Sequence, residues 1–390
     1  MRIVVVCGLA IRKKWLRYLG YYTLPEYVDY ELWDISAFCE KGDNKVAFDD
    51  EIEGLEYVRK IASEDKFLQA LLELDRRKGP TYVFGLSTNR KQERNLWRAC
   101  ANTSLNYCIK DTKDHPRHVF KSFSLRTWLH GQKKNIRRLY SNIKIAYKYS
   151  QPCHAFFATY DFINRWGVLH GLAPRSYIHN LNYDKYLALD SKVPESKPYA
   201  VYIDQNLPAD HQVRLASGTP FMSEQQFWGQ MQTLFRKIRK RLNLEDIVVC
   251  AHPNRSQSSI DTISSFCTIG QFETEERVRD CSVVIGHAST ALDFAVLFEK
   301  PVCIVSMQGI SNNPRFQNMT EQYAEHLGRQ VNMIDESTQT SIDLGIDKKA
   351  YQSFKRRLIK MPNTPEVNSW KYIVTVLKKS YNKSKFSEQI

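Results

Sequence analysis

Residues Val283-Val284-Ile285-Gly286-His287-Ala288-Ser289-Thr290-Ala291-Leu292-Asp293-Phe294-Ala295 read as a buried strand breaking through a small-residue turn into a helix. An apolar run with no polar face fits a parallel sheet covered by helices on both sides. Its junction with a helix is a ready-made phosphate site. The first amides of a helix lack intrahelical partners and lie at the positive end of its dipole, and the hydroxyls of Ser289 and Thr290, with His287 beside them, complete an anion cradle.

Two further strand ends carry chemistry-bearing groups. Ile247-Val248-Val249-Cys250-Ala251 runs directly into His252-Pro253, and Tyr199-Ala200-Val201-Tyr202-Ile203 runs into Asp204. Open α/β sheets bind ligands at the carboxyl ends of their strands, so Asp204, His252 and Ser289 are expected on one edge of one sheet. Taken singly, none is diagnostic. Ser or Thr is also an ordinary helix N-cap, Asp an ordinary turn former, and His115-Pro116 repeats the dipeptide in a charged stretch.

The same alternation of short apolar runs and helical patterns extends along the chain. Strands are expected at 3–7, 30–35, 82–86, 105–109, 155–159, 199–203, 247–251, 281–286 and 301–306, and helices at 67–75, 91–101, 224–242 and 368–379. A polar, proline-punctuated stretch, Leu189 to Pro198, marks a boundary. The expected organisation is an α/β protein with one Rossmann-like domain over 1–190, a second over 199–380 and a frayed tail over 381–390. At 390 residues each domain has enough chain for its own core.

The 56 Lys and Arg residues exceed the 42 Asp and Glu by 14, which favours anionic partners. Ser124 to Tyr149 is basic and aromatic, with Lys133, Lys134, Arg137 and Arg138, and reads as a solvated helix face or as a patch for an anionic membrane surface. Nine cysteines are scattered without a CxxC pair, the pattern of reduced, buried thiols. The opening run from Met1 to Ala10 is too short for a signal peptide core with its cleavage region and reads as a first strand. No stretch is long enough for a transmembrane helix. A cytoplasmic location, with peripheral contact at the inner membrane face, follows as an expectation. Without a helix-turn-helix, RRM or zinc-finger pattern to organise the charge, nucleic acid is the least favoured partner.

Two Rossmann-like domains facing a central cleft, with a nucleotide-binding second domain and a terminal helix, are the arrangement of the GT-B glycosyltransferases. At His252-Pro253 and Ser289-Thr290 the chain resembles the bacterial members that use CMP-activated ulosonic acids, the sialyltransferases and the Kdo transferases of surface polysaccharide synthesis. Where the sialyltransferases carry an acidic motif with glycine, this chain has Ile203-Asp204-Gln205-Asn206, with no second acid and no glycine. Tyr202-Ile203-Asp204-Gln205-x-Leu207-Pro208 and Ile178-His179-Asn180-x-x-Tyr183-Asp184-x-Tyr186-Leu187 are more similar to the retaining β-Kdo transferases. The resemblance covers Tyr199 to Ser306 best and the first domain only by arrangement.

That resemblance implies a CMP-sugar donor, Kdo foremost or a sialic-type acid, and a glycan or lipid-linked glycan acceptor. Ser289, Thr290 and His287 would hold the phosphate, and His252 with Pro253 would contact it as CMP departs. Asp204 would be the nucleophile of a retaining enzyme or the base of an inverting one. Asp161 and Asp184 are acceptor-side candidates. No cofactor beyond the donor and no metal is expected, since no ligand cluster has the spacing of a metal site. Competing readings are a CDP-polyol phosphotransferase of the teichoic-acid type and a glycosyltransferase using a UDP- or GDP-sugar.

Overall fold

The computed structural model describes residues 1–8, 10–11, 16, 21–39, 55–86, 90–111, 152–158, 173–189, 197–207, 222–253, 255–311, 313–334 and 344–387. The chain divides into two compact units. One consists of Met1–Lys113, Ser122–Asp184 and Met361–Ile390, the other of Asp114–Lys121 and Lys185–Lys360.

In the first unit β1 (Arg2–Cys7), β2 (Asp29–Asp34), β3 (Val58–Lys60), β4 (Thr81–Leu86), β5 (Asn106–Asp111), β6 (His154–Phe157) and β7 (Arg175–Tyr177) form one parallel sheet, ordered β3-β2-β1-β4-β5-β6-β7. The central strand shows why an unbroken apolar run is needed here. Successive side chains point to opposite faces, so Val4 and Val6 enter one core with Trp33, Phe67, Leu71 and Trp97, while Ile3 and Val5 enter another with Leu32, Phe84 and Phe156. Helices α1 (Glu64–Asp75) and α2 (Arg90–Ala101) supply the first of these cores. A short α3 (Leu181–Ala188) follows β7.

The second unit repeats the plan with β8 (Lys197–Ile203), β9 (Asp246–Cys250), β10 (Thr268–Gly270), β11 (Cys281–Gly286), β12 (Val302–Met307) and β13 (Val331–Ile334), ordered β10-β9-β8-β11-β12-β13, all parallel. The connecting helices are α4 (Glu224–Leu242), α5 (Gln257–Ser264), α6 (Thr274–Asp280), α7 (Leu292–Leu297), α8 (Pro314–His326) and α9 (Lys348–Phe354). Helix α4 has the bounds its sequence predicts. Ser223 and Gln226 form a reciprocal capping box at its start, Asn243 closes it in the left-handed conformation, and Phe227, Trp228, Met231, Leu234, Phe235 and Ile238 line its buried face. In both sheets the first and fourth strands of the unit are neighbours, which creates a point where the chain winds off in opposite directions.

The last helix, α10 (Ser369–Ser387), corrects two expectations. It belongs to the first unit, where Trp370, Ile373, Val374 and Leu377 join the core formed by Ile3, Val5 and Phe84. The Phe84 and Trp370 rings meet edge to face at 5.5 Å, and the Lys110 ammonium lies 4.0 Å from the Trp370 ring centre. The second domain therefore does not run to residue 380, and residues 381–387 continue a helix instead of fraying. Asp161 and the basic stretch 124–149 lie outside the described residues. Among the described residues no helix is long and apolar enough to cross a membrane.

Candidate active site

Asp204, His252 and Ser289 do end neighbouring strands of one sheet. Asp204 follows β8, His252 follows β9 one residue beyond Ala251, and Ser289 lies in the turn after β11, with β8 flanked by β9 and β11. The junction between β8 and β11 is the topological switch point of the unit, the place where an open α/β sheet forms its ligand crevice. His252, Pro253, Gln205, Ser289 and Thr290 are half-buried there.

Asp204, expected as a nucleophile or a base, is engaged in the structure by a buried ion pair. Its side chain is fully buried and paired with an equally buried Arg255. Arg255 Nε donates to Asp204 Oδ2 at 2.9 Å and its Nη2 to Oδ1, a two-pronged pair. The remaining acceptor positions are taken by backbone amides, His252 N–H to Oδ2 at 3.0 Å and Asn206 N–H to Oδ1 at 2.9 Å. A carboxylate with four donors and no exposed surface is a brace. It fastens the loop after β8 to the loop after β9 and sets the backbone that carries His252.

Arg255 is held from every side. Nη2 also donates to the Leu207 carbonyl at 3.0 Å, Nη1 faces Glu224 at 3.4 Å, and the guanidinium lies 5.3 Å from the Trp228 ring centre. Burial opposes its charge, but Asp204 above all, with Glu224, more than offsets this and raises its pKa. Ser259, on α5, donates to Glu224 at the start of α4, extending the network to two helices. The sequence reading missed Arg255, whose one signal is its place three residues after His252 in His252-Pro253-x-Arg255.

Gln205 was missed too. Its amide pairs with the backbone of Ala288 in both senses, Oε1 accepting from the Ala288 N–H at 3.0 Å and Nε2 donating to the Ala288 carbonyl. One side chain after β8 thus fixes the turn that leads into Ser289. Within that turn Ser289 Oγ accepts from the Ala291 N–H at 3.3 Å, and three tight backbone bonds run from Leu292, Asp293 and Phe294 to Ser289, Thr290 and Ala291. The helix proper starts only at Leu292 and is six residues long, so Ser289 and Thr290 sit on a turn ahead of it.

His287 is corrected outright as a phosphate ligand. It has no exposed surface, and its Nδ1 lies 2.7 Å from the Val305 carbonyl and its Nε2 3.1 Å from the Tyr202 hydroxyl. Desolvation pushes its pKa down to about 4, so it is a neutral core histidine that donates from Nδ1 to Val305 and accepts from Tyr202. Its neighbour Gly286 is closely packed: a Cβ there would meet the end of the Leu292 side chain at 3.3 Å.

Asp184 is likewise structural. It is buried in the first unit and accepts from the Ser369 N–H at 2.6 Å and from the Ser369 hydroxyl, anchoring the start of α10. The residues around it share the task. His179 Nε2 bonds the Val367 carbonyl at 2.8 Å, Tyr183 donates to Glu366 at 2.5 Å, and Asn180 caps α3 by accepting from the Tyr183 N–H. The motif that suggested an acceptor-side acid is the clasp for the returning C-terminal segment. Among the described residues no three His, Cys, Asp or Glu side chains are gathered in a way that could hold a metal ion.

No family model matches the chain, and no curated protein matches it by sequence. Solved structures do. The wall teichoic acid polymerase TagF is similar with a TM-score of 0.50 at 12% identity, over 98% of this chain and 90% of that one. A UDP-GlcNAc 2-epimerase of Methanocaldococcus jannaschii, in complex with UDP-GlcNAc and UDP, gives 0.42 at 12% identity over 97% and 100%, and MurG of Acinetobacter baumannii gives 0.41 at 10% over 97% and 99%. At such identities the likeness is one of fold. With two parallel sheets, each wound outward from a central pair, the chain has the two-Rossmann-domain GT-B fold.

Proposed function

We propose that this protein is a glycosyltransferase that binds a cytidine-nucleotide donor at the carboxyl edge of the second sheet. The observation that carries the reading is the meeting on one sheet edge of a half-buried histidine and a half-buried hydroxyl turn, each with its backbone held by a dedicated brace. Arg255 and Asp204 position His252, and Gln205 positions the turn of Ser289 and Thr290. In this reading Ser289, Thr290 and the turn amides hold the donor phosphate. His252, with Pro253 fixing the chain beside it, transfers a proton at the departing phosphate or the incoming hydroxyl. CMP-linked ulosonic acids, Kdo first, are the donors suggested by the motifs, and a glycan or lipid-linked glycan of surface polysaccharide is the acceptor class.

The Asp204 ion pair favours a second reading over a retaining one. A covalent route needs a free carboxylate at the anomeric carbon, and the Asp204 oxygens are engaged. Transfer of a polyol phosphate from a CDP-linked donor requires an acid or base and a phosphate cradle but no carboxylate nucleophile, and His252 with the Ser289 turn fits that need.

A donor panel of CMP-Kdo, CMP-sialic acid, CDP-glycerol and UDP-GlcNAc, read by nucleotide release, tests both. Turnover of one cytidine donor, lost by at least about 100-fold in His252→Asn and weakened in donor KM by Ser289→Ala, is the expected result. Turnover of UDP-GlcNAc alone would overturn the cytidine assignment, and activity retained in His252→Asn would remove the histidine from the chemistry.

A further inference from the structure

Cys108 and Cys153 stand where two neighbouring strands of the first sheet come together. Cys108 is the third residue of β5, and the register pairs it with His154, the first residue of β6. Cys153 is thus one place behind the partner of Cys108, and its N–H donates to the Tyr107 carbonyl at 2.8 Å. Parallel strands lie about 4.8 Å apart and rise about 3.3 Å per residue, which puts the two α-carbons roughly 5.8 Å apart. That is the separation a disulfide prefers.

In a regular ladder, residues offset by one place face opposite sides of the sheet. Here the chain bends at Cys153 before β6 begins, and its side chain packs against the same core that Cys108 enters, with Ile3, Val5, Tyr82 and Phe156. The thiols meet there, Cys108 donating a hydrogen bond to the Cys153 sulfur. Both are free thiols in the structure.

The two are unlike. Cys108 has no exposed surface, and desolvation first, then the bond to Cys153, holds its pKa well above the usual thiol range. Cys153 is half-buried, and the bond from Cys108 outweighs its burial and lowers its pKa. A partly exposed thiol of lowered pKa beside a protonated one is the arrangement of an attacking and a resolving cysteine.

We infer that Cys108 and Cys153 are a peroxide-responsive pair that closes into a reversible disulfide between β5 and β6. The Cys153 sulfur attacks one oxygen of hydrogen peroxide; an S–O bond forms, the O–O bond breaks, and the hydroxide released takes a proton and leaves as water. The Cys108 sulfur then displaces the hydroxyl from the Cys153 sulfenic acid, forming the S–S bond, and its proton departs with that hydroxyl as a second water. Two thiols lose two electrons and one peroxide gains them. Because the strands are already paired, closure needs no change of fold, and it spares Cys153 from the irreversible sulfinic state.

The test is a peptide map of the full chain after treatment with hydrogen peroxide, with remaining thiols alkylated in denaturant and no reductant added. The expected product is a cross-linked peptide joining Cys108 to Cys153, two hydrogens lighter than its reduced parts and lost on adding dithiothreitol. In Cys108→Ala the oxidation should stop at a Cys153 sulfenic acid that dimedone traps, and in Cys153→Ser the Cys108 thiol should stay unoxidised. Should either variant fail to fold, the wild-type map decides alone. Cys153 found as a sulfinic acid or a free thiol, or Cys108 joined to another cysteine, overturns the pair.

Discussion

Asp204 shows how burial changes the meaning of a catalytic-looking residue. In the sequence it is an acid at a strand end; in the structure it is half of a desolvated ion pair. Removing one member of such a pair strands the other charge, which costs about 3–5 kcal/mol, whereas replacing both by apolar groups of similar size is often neutral. Asp204→Ala and Arg255→Met should each lower stability by that amount in urea unfolding, and Asp204→Leu/Arg255→Met should recover most of it. Independent, additive losses would dissolve the brace. Loss of activity in Asp204→Ala alone would therefore say nothing about nucleophilic attack. Two of the buried histidines, His287 and His154, make a pH prediction. Burial lowers the pKa of His287 and of His154 from 6.5 to about 4. Between those values the unfolded chain binds protons that the folded chain does not, so stability is full above pH 6.5 and declines as pH falls toward 4, by on the order of 3 kcal/mol for a shift of this size. Urea midpoints should drop between pH 7 and 4.5, and His287→Gln should start lower but depend less on pH. A slope unchanged in that variant would assign the acid sensitivity elsewhere.

At the level of elements, what was legible in the sequence is what long-range packing did not have to decide. The central strands β1, β8, β9, β11 and β12 are continuous apolar runs because both faces are covered, and α4 announces itself by its cap and its three- and four-residue spacing. Edge strands β3 and β10 are three residues each, too short to show a period, and were not foreseen. The site residues divide in the same way. That His252 and the Ser289 turn lie on one sheet edge followed from strand order, but whether Asp204, His287 and Asp184 face solvent or core depended on partners 18 to 185 residues away. Gln205 gives a test at this scale. Cutting its side chain in Gln205→Ala should raise amide exchange of residues 288–291 by roughly tenfold, as one buried hydrogen-bonded brace is lost, while β8 and β12 stay protected. Faster exchange throughout the unit would mean that Gln205 supports the fold and not the turn.

On the scale of the whole molecule, the second unit is an insertion in the first. The chain leaves the first unit near Asp184 and returns at Met361, and the return is fixed by Asp184, His179 and Tyr183 gripping Glu366, Val367 and Ser369. Trp370→Ala, which empties a fully enclosed site, should cost about 3–5 kcal/mol and lower the transition of the first unit alone. A fragment of residues 185–360 should fold and give a cooperative melt, while a chain ending at residue 360 should keep that transition and lose the other. Two transitions surviving the truncation would show that α10 is an ornament of the first unit and not part of its core.

The clasp also sets an order of events during synthesis. Domains ordinarily fold as they emerge, the amino-terminal one first. Here the opening strands must wait for the final helix, so the inserted unit can complete its sheet while the first unit still lacks one layer of its core. A stop codon just before residue 369 would thus disable a unit whose strands are translated before the inserted one.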